Sequence, residues 1–474
     1  MLFCSQQFLL FFLCVFAAYW LTPWRRGRVW ILLVASFAFY TTWNHWLAGL
    51  VCVTTTADFF IAKLMERSEA PRRRKILLSF SVAANLGMLA YFKYANFFLA
   101  SLEDALRAVG ASASFPVLSI FLPLGISFYT FEAISYTVDV YRRKIPAEKN
   151  LADFMLFILF FPHLIGGPIV RARDFLPQIQ RPKRWNWARL NLGLQLFLLG
   201  AFKKIVIADR LALIVDPVFA EYSRYSTATL WMATLAWAIQ VYCDFSGYTD
   251  MAIGCAHALG YKLSPNFNMP YIAKNIADLW RRWHISLSSW LRDYLFIPLG
   301  GSRGSRWKTA RNLFTVMVVA GLWHGADWPY IVFGVVHGVL LSIHMLFRNF
   351  CRTRPLLDQW LNTSIGTGLR IALTFTTFCL TIVIFRAHTL AAGFGMLKAM
   401  FTPLGGAGLP LPATTLWLAV AVVALAHVVG WSGILKRSAN RIPTPLIGLA
   451  QAAGVSVILV LAVGGGRSFV YFQF

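Results

Sequence analysis

Polar positions in this chain are sparse, and they punctuate long apolar blocks rather than alternate with apolar residues. A helix needs about 20 mostly apolar residues to cross the hydrocarbon core of a bilayer. Blocks approaching that length lie at 3–22, 29–43, 46–62, 76–100, 116–141, 190–214, 228–258, 312–325, 329–347, 367–385, 413–431 and 446–464. Basic residues cluster between them, at 25–28, 63–75, 142–149, 171–189, 262–311, 348–354 and 436–441. Placing these clusters in the cytoplasm satisfies the positive-inside bias and leaves loops poorer in Lys and Arg, such as SLEDALRAVGASAS, outside. The pattern predicts an all-α, polytopic membrane protein of about 11–13 helices.

Two regions depart from simple crossing. The block 151–170, LADFMLFILFFPHLIGGPIV, has basic clusters on both flanks, so one crossing would violate the charge rule. It also carries Pro162, Gly166, Gly167 and Pro168, which end helices. The expectation there is a re-entrant segment. The region 262–311 is aromatic, basic and interrupted by Pro265, Pro270 and Pro298. Within it Trp280, Trp283 and Trp290 are spaced to share one helix face at the headgroup level, which suggests interfacial or re-entrant helices around a cytoplasmic funnel.

Composition agrees with a membrane chain. Of 474 residues 58% are hydrophobic and 13% charged, against roughly 25% charged in a soluble domain. The net charge of +25 would suggest nucleic acid on a soluble protein. Here the charge sits between apolar blocks and reads as topology, so no nucleic-acid partner is expected. The seven cysteines are scattered, odd in number and without a C-x-x-C, which points to buried small hydrophobes. The first apolar block has its positive charges after it rather than before, as an uncleaved first helix does.

Ionisable side chains inside a membrane are expensive and therefore become functional candidates. His324, in AGLWHGADW, lies between the blocks 312–325 and 329–347, which suggest a hairpin. His284, in DLWRRWHISLSSWLRDY, lies forty positions upstream among aromatics. Gly321 and Gly325 flank His324 and would let a tunnel or acyl chain approach it. His337, in GVVHG, and His344 share a face and read as packing positions. His163 sits in the re-entrant FPHLIGGP. Asp244 and Asp250 belong to a polar patch, YCDFSGYTD, whose natural counterions are the Arg residues of WRRWH and WLRDY. Candidates for lining a substrate path are His163, Asp244, Trp280, Trp283, Arg292, Asp293 and Trp323. No metal site is expected, since H-E-x-x-H and Cys/His clusters are missing, and no G-x-S-x-G or P-loop occurs. The glycine-rich PLGGSRGSR could face a phosphate-bearing donor. The residues alone leave two classes open: a transporter or flippase for an anionic glycan precursor, and an enzyme using His284 and His324. An imidazole can take a hydroxyl proton as the oxygen attacks a thioester, while a second one orients the first or polarises the carbonyl.

The stretches LPLGISFYTFEAISYTVDVYRRK, FPHLIGGPIVR, YCDFSGYTDMAIG, LWRRWHISLSSWLRDYLFIPLGG and RNLFTVMVVAGLWHGADW resemble the membrane-bound O-acyltransferase family. They are most similar to its bacterial branch acting in alginate O-acetylation, and the match runs in order from Phe39 to His388. The resemblance implies one integral-membrane domain over 1–474, with core motifs at 39–388, further helices at 413–464 and a many-helix fold pinched around a central tunnel. The family's invariant histidine falls on His324 and its second active-site position on His284. It further implies an acetyl donor on the cytoplasmic side, acetyl-CoA, with no permanently bound cofactor. The implied partners are a periplasmic SGNH esterase-like O-acetyltransferase and polysaccharide synthesis machinery. The implied site of action is the lipid of the bacterial inner membrane and an exopolysaccharide such as alginate. D-alanyl transfer to a cell-wall polymer is the alternative within the same family, and a scaffold that only anchors the soluble transferase is a third possibility.

Overall fold

The computed structural model describes residues 1–42, 45–111, 114–123, 125–434, 437 and 443–461. Among them every regular element is a helix, and the sole β-type pairing is an isolated bridge between Tyr225 and Ala407. Five helices are long and apolar enough to cross a bilayer: Trp46–Glu66, Pro71–Ala108, Trp328–Arg352, Ser364–Arg386 and Ala413–Ser432. Gln6–Leu21, Leu390–Phe401 and Pro445–Leu461 are shorter apolar helices. The expected all-α, polytopic membrane architecture is what the chain adopts.

The chain packs as two compact units, Met1–Leu194 with Ala252–Ser264, and Gln195–Met251 with Pro265–Phe474. In the first unit the apolar block 116–141 is helical only over Ile126–Tyr141, and residues 114–123 are irregular. Pro116 and Pro123 explain the difference, since neither can donate into a helix ladder. Asn96 takes over part of that role by bracketing Leu118, accepting its N–H at 2.9 Å and donating to its carbonyl at 3.0 Å. The block 151–170 forms Leu151–Leu159 and Phe161–Leu164, broken at Phe160 and buried from Leu156 onward. Nine residues of helix reach only about 13 Å, well short of a spanning helix, and the break falls beside Pro162.

In the second unit the 32-residue helix Thr227–Ala258 provides most of its length, up to Met251. The helices Arg306–His324 and Trp328–Arg352 form a hairpin whose turn is only three residues long. The region 262–311 departs from the expected tryptophan face. Helix Ile276–Arg282 stops, Trp283 is extended, His284 turns left-handed at φ 44°, and Ile285–Leu291 starts a new axis. Trp280, Trp283 and Trp290 therefore do not share one helix face. Trp283 is buried against Phe267 and Phe378, each ring centroid 5.1 Å away, and Trp290 is buried beside Tyr294. Packing of these large rings inside the protein outweighs their affinity for a headgroup layer.

Candidate active site

The hairpin sets the position of His324. Helix Arg306–His324 ends on this residue because Gly325 is extended and Asp327 starts the next helix, its carboxylate accepting the Trp328 N–H at 2.7 Å. Pro329 then occupies the first turn, where a missing N–H costs nothing. The two helices meet at glycines: a Cβ on Gly321 would come within 3.1 Å of the Gly334 Cα, and one on Gly325 would strike the Tyr330 ring. These glycines admit the neighbouring helix rather than a tunnel or acyl chain, which corrects the expectation for Gly321 and Gly325. Close backbone approach of this kind is how membrane helices gain dispersion contacts.

His284 arrives from the break between two short helices. Its ring is fully buried, and its Nδ1 lies 3.2 Å from the Asn266 Oδ1. That same oxygen accepts the Ser286 backbone N–H at 3.1 Å and the Ser286 hydroxyl at 2.9 Å. A backbone N–H can only donate, so the amide of Asn266 presents its oxygen here. An oxygen can only accept, so Nδ1 carries the proton, and in the neutral ring Nε2 keeps the lone pair. Burial, and then the nearby His324, hold the His284 imidazole well below its usual range, so it is neutral near pH 7. A left-handed non-glycine residue costs roughly 1–3 kcal/mol, and Asn266 binds the backbone on its C-terminal side through both Ile285 and Ser286.

The two imidazoles, forty positions apart in sequence, come together with ring centroids 6.4 Å apart. Trp323 touches both, at 5.6 Å from His284 and 5.1 Å from His324. Phe245 packs at 4.7 Å on His284, and Phe385 at 5.3 Å on His324. The result is a histidine pair in an aromatic, water-poor enclosure.

The profile of the membrane-bound O-acyltransferase family matches residues 143–385, just over half of the chain, and both histidines fall within it. The chain belongs to the membrane-bound O-acyltransferase family. It is similar to a probable alginate O-acetylase AlgI of Azotobacter vinelandii, 42% identical over 85% of this chain and 78% of that protein. It is 35% identical to a peptidoglycan O-acetyltransferase of Helicobacter pylori over 79% of this chain and 73% of that one. A teichoic acid D-alanyltransferase of Bacillus subtilis is 31% identical over 55% of this chain and 68% of its own length.

The other expected path residues of this acyltransferase-family chain are dispersed. Asp244 pairs with Lys204, which also reaches Asp209 at 2.8 Å, while Asp250 pairs with Lys203 at 2.6 Å. The counterions thus come from the preceding helical segment and not from the WRRWH and WLRDY arginines. The reason is a close crossing: a Cβ on Gly247 would lie 2.6 Å from the Gly200 carbonyl, which brings Lys203 and Lys204 alongside. Arg292 and Asp293 pair with each other at 2.8 Å, with the guanidinium exposed on a π-helical turn. Trp280 donates its indole N–H to His337 Nδ1 at 3.2 Å, and His337 Nε2 meets the Thr381 hydroxyl at 3.0 Å, a packing role as its small-residue neighbours suggested. His163 belongs to the first unit, buried at 3.2 Å from Glu132. Asn266, Phe245 and Phe385 were not singled out from sequence. The one available hint was Asn266 itself, one of two asparagines held between Pro265 and Pro270. Among the described residues no cluster of His, Cys, Asp and Glu could hold a metal ion.

Proposed function

We propose that this chain, acting as one integral-membrane unit in the bacterial inner membrane, takes an acetyl group from a cytoplasmic thioester. The group then passes through a tunnel towards a separate periplasmic O-acetyltransferase that esterifies exopolysaccharide hydroxyls. The donor is acetyl-CoA, the partner an SGNH esterase-like protein working with the polysaccharide synthesis machinery, and alginate the first polymer to test. The observation that carries this reading is the histidine pair, 6.4 Å apart in its aromatic enclosure, in a chain 42% identical to a probable alginate O-acetylase. Between the polymers, the relative named for alginate covers 85% of this chain and the teichoic acid one 55%, which is why alginate is tested before D-alanyl transfer.

In the proposed step His324 takes the proton from the acceptor hydroxyl as its oxygen attacks the thioester carbonyl. A C–O bond forms, the C–S bond breaks, and the leaving thiolate recovers the proton from His324, so the balance is alcohol plus thioester to ester plus thiol. The C-terminal end of helix Arg306–His324 supports the positive charge that develops on this ring. His284 has its Nδ1–H committed to Asn266 and a bare Nε2, so it accepts a hydrogen bond and cannot donate one to the carbonyl oxygen. Its role is therefore to orient the reacting N–H or O–H rather than to polarise the thioester.

The test is acetyl transfer from labelled acetyl-CoA in membranes containing the full chain and the soluble partner. His324→Ala is expected to leave protein abundance unchanged and to abolish labelling of the polymer. Retained labelling would sink the catalytic assignment. Labelling that survives removal of the whole membrane chain, with soluble partner and donor alone, would reduce the chain to an anchor.

A further inference from the structure

A cavity of about 530 Å³ lies within the second unit, and the proposed chemistry does not use it. Its walls come from the C-terminal half of helix Trp328–Arg352, the N-terminal half of helix Ser364–Arg386 and the segment Lys274–Arg281. Four permanent cations line it, Lys274, Arg281, Arg348 and Arg370, against the single carboxylate of Asp358. Among the described residues no carboxylate forms an ion pair with any of the four. Arg370 is fixed by carbonyls, donating to Leu361 at 3.1 Å and to Lys274 at 3.3 Å, and so ties the rim together. Lys274, Arg281 and Arg348 are exposed and line the cavity.

The polarity of the cavity changes with depth in a specific direction. On helix Trp328–Arg352 the lining runs from Leu340, Leu341 and Ile343 to Arg348, about 12 Å along the axis from Leu340. On the antiparallel neighbour it runs from Thr377 and Leu373 back to Arg370. Both place the Lys and Arg charge beside the 353–363 connection, while the lining towards the middle of the spanning helices carries no Lys or Arg and is mostly apolar, with His344, Thr374 and Thr377 among the leucines and Ile343. Ile343, Phe347 and Leu373 are at once pocket-lining and exposed, so the apolar wall opens sideways onto the surface that faces lipid. The short helix Pro355–Asn362 borders the charged end through Asp358 and Leu361, with Leu356 and Trp360 exposed as residues at the headgroup level are. The exposed cations leave the charged end open to water, so what favours a lipid over a soluble phosphate compound is the sideways apolar wall, for which the soluble compound has no use.

We propose that this cavity is a lateral binding site for an anionic phospholipid of the leaflet on the basic side. Lys274, Arg281 and Arg348 hold its phosphate, and an acyl chain lies along Ile343, Phe347 and Leu373. The site couples the lipid charge of that leaflet to the hairpin helix Trp328–Arg352, which also carries the partner glycine of the His324 helix. Juxtamembrane basic side chains recognise anionic headgroups in this way.

The test uses the purified full chain and native mass spectrometry, with phosphatidylglycerol and phosphatidylcholine as probes. Phosphatidylglycerol is expected to be retained in preference to phosphatidylcholine, and K274Q/R281Q/R348Q to weaken it about 100-fold, as three basic contacts near a surface imply. Leu373→Trp, which fills the apolar wall and leaves the charges intact, is expected to reduce retention too. It serves as an independent variant should the triple one fold poorly. Equal retention of the two lipids, or retention unchanged in both variants, would overturn the proposal. So would displacement of phosphatidylglycerol by coenzyme A or inorganic phosphate, which would mark the cavity as a site for soluble phosphates. None of these readouts depends on acyl transfer.

Discussion

Asn266 is the residue on which the chemistry of His284 turns. Its amide oxygen fixes the Nδ1–H tautomer and leaves Nε2 bare. Replacing the amide by a carboxylate in Asn266→Asp would keep the acceptor but put a negative charge beside Nδ1. That charge favours imidazolium, so the pKa of His284 rises from its depressed position. A ring protonated at Nε2 can no longer accept, and the acidic limb of the acetylation profile is expected to move up by about one pH unit or more. Asn266→Ala removes the acceptor without adding charge, so it should lower activity with no such displacement of the limb. A rate–pH profile of the three proteins distinguishes the two effects. A merely structural Asn266 would lower activity in both variants without moving the profile. At the same scale, His284→Ala should cost less than His324→Ala, because it removes orientation and leaves the base; comparing labelled acetyl transfer by the two variants checks the order.

Helix pairs depend on contacts that leave no room for a side chain. The His324 hairpin closes where Gly321 meets Gly334, and a β-carbon at either position must move a backbone. Gly334→Val is therefore expected to destabilise by about 1–3 kcal/mol, the usual cost of overpacking. It should also lower acetyl transfer by shifting Trp323 and His324 against His284. The melting temperature in detergent and the transfer rate are the paired measurements. The crossing at Gly200 and Gly247 has a different consequence. It places Lys204 between Asp209 and Asp244, both buried. Lys204→Met takes away the ammonium shared by two buried carboxylates, and removing one partner of a buried pair costs about 3–5 kcal/mol. Loss of the folded fraction on size-exclusion chromatography is the expected outcome, with Lys204→Arg recovering part of it.

The whole molecule is organised by charge as much as by hydrophobicity. The basic cluster at 348–354 and the C-terminal end of helix Ala413–Ser432 fall on one side if helices Ser364–Arg386 and Ala413–Ser432 both cross. Residues 402–412, after the short apolar helix Leu390–Phe401, then lie on the opposite side. A cysteine placed at Gly405, which is exposed and free of close neighbours, should react with an impermeant thiol reagent in intact spheroplasts. One placed at Gln359 should react only after the membrane is opened. The reverse pattern would invert the orientation assumed for donor entry.

Most helices were legible in the sequence because a bilayer demands a minimum apolar length and tolerates few charges, two constraints that act on composition alone. The same logic singled out His324, an expensive residue between two apolar blocks, and the broken segment 151–170, whose prolines forbid a continuous helix. Other features depend on where distant segments meet, and no local rule encodes that. The 6.4 Å approach of His284 to His324 requires a left-handed break after Trp283, whose cost is met by Asn266 from another segment. The ion pairs of Asp244 and Asp250 went to lysines rather than to the expected arginines because two glycines let one particular pair of helices touch. By itself the sequence determined which segments are apolar enough to form membrane-length helices, through transfer free energy summed along the chain. Only the tertiary structure decided which buried polar groups satisfy one another, because hydrogen bonds and ion pairs act over a few ångströms and are indifferent to distance along the chain.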